Sequence, residues 1–241
     1  MKLKKISLIA AIAMLLSCSP SGEVSLDSFA AQSDVFVSGK SLMGLPFGLH
    51  DLEDKTIEQT SLLIAVHGSN SKGYEWIYPL QTLDQKSNLV TFFRWDDRNC
   101  PSPSASSLYE LIKLRLINKD IENVILLGHS YGGLLVTVFM NEWDLEVPLQ
   151  VHSIAGPLKR NASLSSICEF KVPESLSMSS SLHQWRTIKE LDGAFKDLEF
   201  DPQNLDISGS DVTRLPETYK GNKLGHNWSI SWVADQIKKI D

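Results

Sequence analysis

The segment NVILLGHSYGG, residues 123–133, constrains the fold of this chain more than any other stretch. An apolar run of strand length leads directly into a turn that holds Ser130, and the residues from Gly133 to Leu145 have helical apolar spacing. A serine in this context sits on a strained turn that projects its hydroxyl above a sheet. Gly128 and Gly132 remove Cβ atoms that would collide with neighbouring elements. The segment therefore predicts that Ser130 is a nucleophile at the end of a buried strand.

Further apolar runs of strand length alternate with amphipathic segments, which is typical of βα units. They predict an α/β fold with a mostly parallel sheet of about six strands flanked by helices, and with a small cap or none. The predicted strands are 62–66, 89–95, 124–127, 149–155, 182–191 and a less regular one around 205–212. The predicted helices are 104–118, 133–145 and 228–240. A Ser-rich segment from Pro157 to Ser181 is either a lid or a surface loop without function.

The first eighteen residues have the pattern of an export signal. Three lysines within residues 2–5 precede eleven uncharged residues, 6–16, and this apolar run is too short to span a bilayer. The sequence LLSC that ends at Cys18 resembles the lipobox of bacterial lipoproteins, in which the cysteine becomes lipidated. We therefore expect a signal peptide at 1–17, a lipidated N-terminus and tether at 18–33, and one folded domain at 34–241. The resemblance implies a membrane partner through Cys18 and a location in the bacterial cell envelope, facing the periplasm or the exterior.

Charge and motif content exclude several classes of protein. The formal net charge is −6, and the only dense basic run lies in the signal segment, so nucleic acid is not expected as a partner. Neither a Walker sequence nor G-x-G-x-x-G is present, and the chain has no HExxH motif. We expect neither a metal nor an organic cofactor. The sequence does not decide the oligomeric state.

The G-x-S-x-G motif at 128–132, with a strand before it and a helix after it, resembles the nucleophile turn of the α/β-hydrolase family. The resemblance covers roughly residues 60–240 and implies a Ser-His-Asp triad in which an acid and then a histidine follow the serine. Three of the six histidines follow Ser130, namely His152, His183 and His226. His152 and His183 lie within predicted strands. His226 precedes the last helix, where the family carries its catalytic histidine, so it is the predicted general base.

The acidic member of the triad is less sharply defined by the resemblance. Asp192 follows a predicted strand and precedes a glycine, which is the context that the family uses. The alternatives remain open, and each of them can equally be a solvated turn or cap residue: Asp197, Asp201, Asp206 and Asp211.

An HG dipeptide, His67 and Gly68, ends the strand 62–66, where the family turns the chain into an oxyanion loop. The resemblance implies that the backbone N–H groups of Ser69 and Tyr131 donate hydrogen bonds to the oxyanion. We expect His67 only to hold the shape of the loop. The pair Asp96 and Asp97 lies next to Arg94 and Arg98, which indicates a structural ion network and not a metal site.

Two cysteines remain besides Cys18, and an exported protein permits a disulfide between them. Cys100 and Cys168 each follow a predicted strand, so both are expected at the carboxyl-terminal edge of the sheet. We predict a bridge that holds the Ser-rich loop beside the active site, although two free thiols are the alternative.

The function expected from these residues is hydrolysis of a small-molecule or lipid ester through an acyl-enzyme on Ser130. The same triad could perform acyl transfer or cleave thioesters or amides, because the reaction class depends on the pocket and the acceptor. A non-catalytic lipoprotein that retains the fold only for binding is a third hypothesis.

Overall fold

A seven-stranded sheet forms the centre of the protein in the computed structural model, which describes residues 24–117, 120–159 and 168–240. The strand order is β1-β3-β2-β4-β5-β6-β7, and every neighbouring pair is parallel except β1 with β3. The strands are β1 (Gly48–Asp51), β2 (Ser61–Val66), β3 (Asn88–Arg94), β4 (Asn123–His129), β5 (Leu149–Ile154), β6 (Ser180–Arg186) and β7 (Asp211–Arg214). A separate hairpin pairs β8 (Thr218–Tyr219) with β9 (Asn222–Lys223). The predicted α/β class and mostly parallel sheet are confirmed.

Helices cover both faces of the sheet, and this explains why its central strands are apolar throughout. Along β2, Leu62 and Ile64 point into a core that α4 and α5 cover, whereas Leu63 and Ala65 point into a core beneath α3 and α6. All six residues of β2 are buried, as expected for a strand that is covered on both faces. The helices are α1 (Leu26–Ala31), α2 (Val35–Met43), α3 (Tyr74–Leu83), α4 (Pro101–Ile117), α5 (Tyr131–Phe139) and α6 (Trp228–Ile240).

Several elements differ from the sequence-based prediction. Strand β1 was not predicted, because only Leu49 of its four residues is buried and it has no apolar run. Helices α2 and α3 were not assigned, and α3 contains an internal proline, Pro79, that weakens the helical signal. The strand predicted over 182–191 ends at Arg186, and a short 3₁₀ turn, Lys189–Leu191, follows it. The strand expected around 205–212 is β7, which begins only at Asp211.

The N-terminal part of the described chain packs on the domain through α1, which lies within the segment 18–33 that the sequence predicts as a lipidated N-terminus and tether. Ser25 caps α1 through a reciprocal bond with Ser28, and the side chains of Leu26 and Phe29 are buried beside α3. Two apolar positions in a six-residue helix are too few to give a periodic signal, so the sequence did not reveal this contact. The signal segment 1–17 and Cys18 lie outside the described residues.

No helix within the described ranges is long and apolar enough to cross a bilayer.

Candidate active site

The turn between β4 and α5 holds Ser130 in a conformation that few residues adopt. Ser130 has φ 56° and ψ −120°, and its N–H donates to Ile154 O at 2.8 Å, which ties the turn to β5. A Cβ atom on Gly128 would lie 2.3 Å from Gly132 O, and one on Gly132 would lie 2.3 Å from Val66 O. Only glycine allows α5 to approach the strands this closely. The serine therefore stands at the carboxyl end of the central strands on a turn fixed by packing.

His226 lies in the loop before α6 and is hydrogen-bonded to Asp192. The distance from His226 Nδ1 to Asp192 Oδ2 is 2.8 Å, and the Asp192 side chain is fully buried. Because a carboxylate only accepts hydrogen bonds, the neutral imidazole carries its proton on Nδ1. Its Nε2 lone pair is then free to accept a proton, which is the arrangement a general base requires.

Donors on three sides hold the Asp192 carboxylate in place. Thr187 Oγ1 donates to Oδ2 at 2.5 Å, and the backbone N–H of Ala194 donates to Oδ1 at 2.8 Å. Gln203 Oε1 in turn accepts from the Thr187 N–H at 2.8 Å and lies 3.1 Å from its hydroxyl. A buried charge needs several partners of this kind. Sequence reasoning missed Thr187 and Gln203, because neither belongs to a local motif.

Two of the other predicted acid candidates form ion pairs away from His226. Asp201 Oδ2 lies 3.1 Å from Arg214 Nη1, and Asp206 Oδ1 lies 3.7 Å from Arg186 Nη2. Asp192 is the candidate that the structure brings to the histidine.

Ser130 and His226 line a common cavity of about 60 Å³, and Ser69 lines it too. Across the described part of the chain, no hydrogen bond joins the Ser130 hydroxyl to His226. Catalytic hydrogen bonds are often long in a free enzyme and shorten when the substrate binds. The lack of this hydrogen bond therefore agrees with Ser130 as nucleophile and His226 as its base.

The loop after β2 runs directly beside the serine. A Cβ atom on Gly68 would lie 2.9 Å from Ser130 Cβ, which shows how closely the loop approaches. Asn70 has a positive φ of 55°, and its N–H donates to Asp97 Oδ2 at 2.5 Å. Tyr131 is the first residue of α5, so its N–H has no acceptor within the helix. Both predicted oxyanion donors, at Ser69 and Tyr131, thus flank Ser130.

His67 is buried and bonded on both ring nitrogens. Its Nδ1 donates to Gly68 O at 2.9 Å, and its Nε2 accepts from Arg94 at 3.1 Å and from the Trp95 N–H at 3.3 Å. Burial is the main reason that the pKa of His67 falls to about 4, and the nearby Arg94 charge lowers it further. These contacts tie the loop to β3, as expected for a histidine that only shapes it.

His129 is a second histidine of the site, which sequence reasoning left without a role. Its Nε2 donates to the carbonyl oxygen of His226 at 3.1 Å, and the two ring centroids are 4.6 Å apart. Burial holds the pKa of His129 well below its usual range, with the His226 charge as a second cause. A neutral His129 therefore fixes the backbone of His226 without competing for its proton. The position of His129 inside the G-x-S-x-G motif, next to Ser130, was the sequence signal that could have indicated a place in the site.

The predicted ion network around Asp96 and Asp97 is only partly present. Arg98 forms a two-pronged pair with Asp96, with both N···O distances at 2.7 Å. Asp97 instead accepts from Asn70, and Arg94 donates to Met43 O, Trp95 O and His67. Within the described residues, no cluster of three potential metal-binding side chains occurs.

Cys100 and Cys168 form the predicted disulfide, with a Cα–Cα distance of 5.4 Å. The Tyr131 hydroxyl donates to Asn99 O at 3.2 Å and lies 3.8 Å from Cys168 Sγ. The bridge therefore lies beside the first residue of α5 and attaches the middle of the Ser-rich segment there. Residues 160–167 of that segment are outside the described ranges, so the lid prediction stays a prediction.

Comparison with solved structures finds similar folds at low sequence identity. A lipase-esterase related protein from Clostridium acetobutylicum has a TM-score of 0.53 and 12% identity, with 80% of this chain and 99% of that chain covered. Est1E from Butyrivibrio proteoclasticus has a TM-score of 0.52 and 11% identity, with 76% and 87% covered. XC6422 from Xanthomonas campestris, described as an α/β serine hydrolase without lid, has a TM-score of 0.50 and 13% identity, with 79% and 83% covered.

No protein-family model and no curated protein matches the sequence. The structural likeness, the parallel strand order and the turn at Ser130 together show that the chain has the α/β-hydrolase fold.

Proposed function

We propose that this protein is a serine hydrolase that cleaves carboxylic esters through Ser130, His226 and Asp192. The observation that carries the proposal is that His226, held at 2.8 Å by a fully buried Asp192, lines the same cavity as a serine on a strained turn. Two of the similar structures are described as a lipase-esterase related protein and a serine hydrolase, which supports ester cleavage.

In the proposed reaction, Ser130 Oγ attacks the acyl carbon while His226 Nε2 takes the hydroxyl proton. The N–H groups of Ser69 and Tyr131 stabilise the oxyanion, and Asp192 stabilises the imidazolium. The carbon–oxygen bond to the alcohol then breaks, and His226 delivers its proton to the departing oxygen. A water molecule gives a proton to His226 and attacks the acyl-enzyme, which releases the carboxylic acid and restores Ser130.

The test is labelling with a fluorophosphonate probe together with hydrolysis of 4-nitrophenyl acetate. We expect both signals for the parent protein and neither for Ser130→Ala, which lacks the nucleophile. Ser106→Ala, at an exposed serine on α4, is the matched control and should behave as the parent does. Labelling that does not depend on Ser130 would refute the proposal. Transfer of the acetyl group to added ethanol in place of acetate release would identify an acyltransferase.

We also propose that a lipid on Cys18 anchors the protein in the bacterial cell envelope. The support is the basic and apolar segment that ends in LLSC, and the disulfide, since such bonds persist in oxidising compartments. In cells fed an alkyne-tagged fatty acid, the parent protein should carry the tag and sediment with membranes. Cys18→Ser should remove both properties, and a tag that survives this substitution would contradict the proposal.

A further inference from the structure

The catalytic cavity is too small to hold a whole substrate. Its volume of about 60 Å³ accommodates the ester group and little more. The rest of the substrate must therefore lie in a space that opens from this cavity. A groove of about 280 Å³, here named the aromatic groove, shares Glu75 and Asn227 with the cavity and runs from α3 to the start of α6.

Aromatic rings form the walls of this groove. Trp228 is 46% exposed and Tyr78 is 41% exposed, so both offer ring surface to a ligand. Lys220 lies in the groove as well, with its Nζ 4.3 Å from the Tyr78 ring centroid, and it donates to the Tyr78 hydroxyl at 3.0 Å. Asp235 lies 3.7 Å from the same Nζ and balances its charge. The groove therefore suits a neutral ring better than an anionic group.

Glu75 supplies a polar contact where the aromatic groove meets the catalytic cavity. The residue is only 8% exposed, and its Oε1 accepts a hydrogen bond from the Ser71 hydroxyl. Its Oε2 is buried and has no hydrogen-bond partner among the described residues. A buried carboxylate oxygen without a donor is unfavourable, and a carboxylate can only accept. A rotation of the Glu75 side chain toward the groove would let a ligand hydroxyl donate to this oxygen, which has no accessible surface in the free protein.

We propose that the aromatic groove binds the alcohol part of the ester, and that this alcohol is a ring that carries hydroxyl groups. The ring would stack on Trp228, and one hydroxyl would donate to Glu75 Oε2. The alcohol is assigned to this groove because His226 must reach the departing oxygen, and the groove begins at Asn227, the next residue. This inference rests on the proposed function. A sugar ring and a phenolic ring share the required chemistry.

The test compares pairs of acetate esters in which one member carries ring hydroxyl groups and the other has none. Cyclohexyl acetate is paired with a monoacetate of methyl xylopyranoside, and phenyl acetate is paired with 3-hydroxyphenyl acetate. Each ester is measured with the parent protein and with Glu75→Gln, so that its intrinsic reactivity cancels. The side-chain amide of this variant keeps an acceptor for Ser71 but replaces the unpaired oxygen with a donor.

We expect Glu75→Gln to lower kcat/KM by about 10- to 100-fold on a hydroxylated ester and by less than about threefold on its unsubstituted partner. The pair that shows the loss identifies the ring as a sugar or a phenol. Trp228→Ala should lower kcat/KM on that hydroxylated ester by a larger factor than on ethyl acetate, which has no ring to stack on Trp228. Phe47→Ala, at a residue that is 60% exposed and outside the groove, is the control and should change neither.

Equal losses from Glu75→Gln on all four ring esters would overturn the inference, because they would indicate a purely structural role for Glu75. Equal rates for parent and variant on every ester would overturn it too. Fluorophosphonate labelling of Ser130 tests the proposed function independently of the aromatic groove. Labelling without any hydroxyl preference would refute the inference alone, whereas loss of labelling would refute the proposed function.

Discussion

Replacing Asp192 with asparagine should inactivate the protein while leaving its fold intact. In the parent protein, Asp192 accepts hydrogen bonds from His226, Thr187 and the Ala194 N–H. An asparagine oxygen can still accept from Ala194, and the Thr187 hydroxyl can turn toward Gln203 Oε1, 3.1 Å away. The new amide N–H₂ then faces His226 Nδ1, which has to become an acceptor. The imidazole proton moves to Nε2, and the ring can no longer accept the proton of Ser130.

The magnitude follows from this change of tautomer. Loss of the general base while the serine and the oxyanion donors remain lowers kcat about 10³- to 10⁴-fold, which corresponds to about 4 to 5.5 kcal/mol in the barrier. The assay is hydrolysis of 4-nitrophenyl acetate at pH 7.5, with circular dichroism and thermal unfolding to check the fold of Asp192→Asn. The melting temperature should fall by only a few degrees, because the other two donors keep acceptors.

Asp206→Asn is the matched control for this substitution. Asp206 was another candidate for the triad acid, its side chain is fully exposed, and it pairs with Arg186 at 3.7 Å. Its replacement should leave kcat within about twofold of the parent value. A loss of less than tenfold for a folded Asp192→Asn protein, or equal losses for the two variants, would refute the assignment of Asp192.

Three further predictions concern the disulfide, the oxyanion loop and the response to acid. Cys168→Ser removes a disulfide that closes a loop of 68 residues, and it should lower the free energy of unfolding by about 4 kcal/mol in urea denaturation. Equal stability of the parent protein with and without reductant would contradict this prediction. Asp97→Ala removes the acceptor of the Asn70 N–H in the loop after β2, and it should lower kcat about tenfold with little change in KM. A change in KM alone would argue against a role of this loop in stabilising the transition state. His67 has a pKa of about 4 when folded against 6.5 when unfolded, so the unfolded chain binds its proton first as the pH falls. His67 should contribute about 3 kcal/mol to the stability that urea denaturation shows to be lost between pH 7 and pH 4, and His152 adds to the loss because burial lowers its pKa to about 3. A flat profile would contradict the buried neutral state.

The parts of the fold that follow from local patterns were predictable from the sequence. Strand β2 is recognisable because it is apolar on both faces, and the turn at Ser130 because its glycines are required at fixed offsets. The disulfide was predictable because both cysteines follow strands that end at the same edge of the sheet. Strand β1 and helix α1 were not predictable, since each has too few buried apolar residues to give a periodic signal.

The residues that support the site were not predictable for a different reason. Thr187 and Gln203 act through hydrogen bonds with residues that the fold brings near them. Such contacts leave no pattern along the chain. Asp192 could be singled out among five aspartates only by the strand before it, whose end was placed five residues too late. The hydrogen bond between Asp192 and His226 could be identified only from the three-dimensional structure.

If a lipid on Cys18 anchors the protein, the docking of α1 limits how far the folded domain can lie from the membrane. A tether over 18–33 could extend to about 55 Å, whereas a chain that is packed from Val24 onward leaves only residues 18–23, about 20 Å when fully extended. With a lipid on Cys18, the folded domain would then begin within about 20 Å of the bilayer surface. The anchored protein would have a high effective concentration toward esters held at the same membrane surface. Esters located farther from that surface would have to diffuse to it.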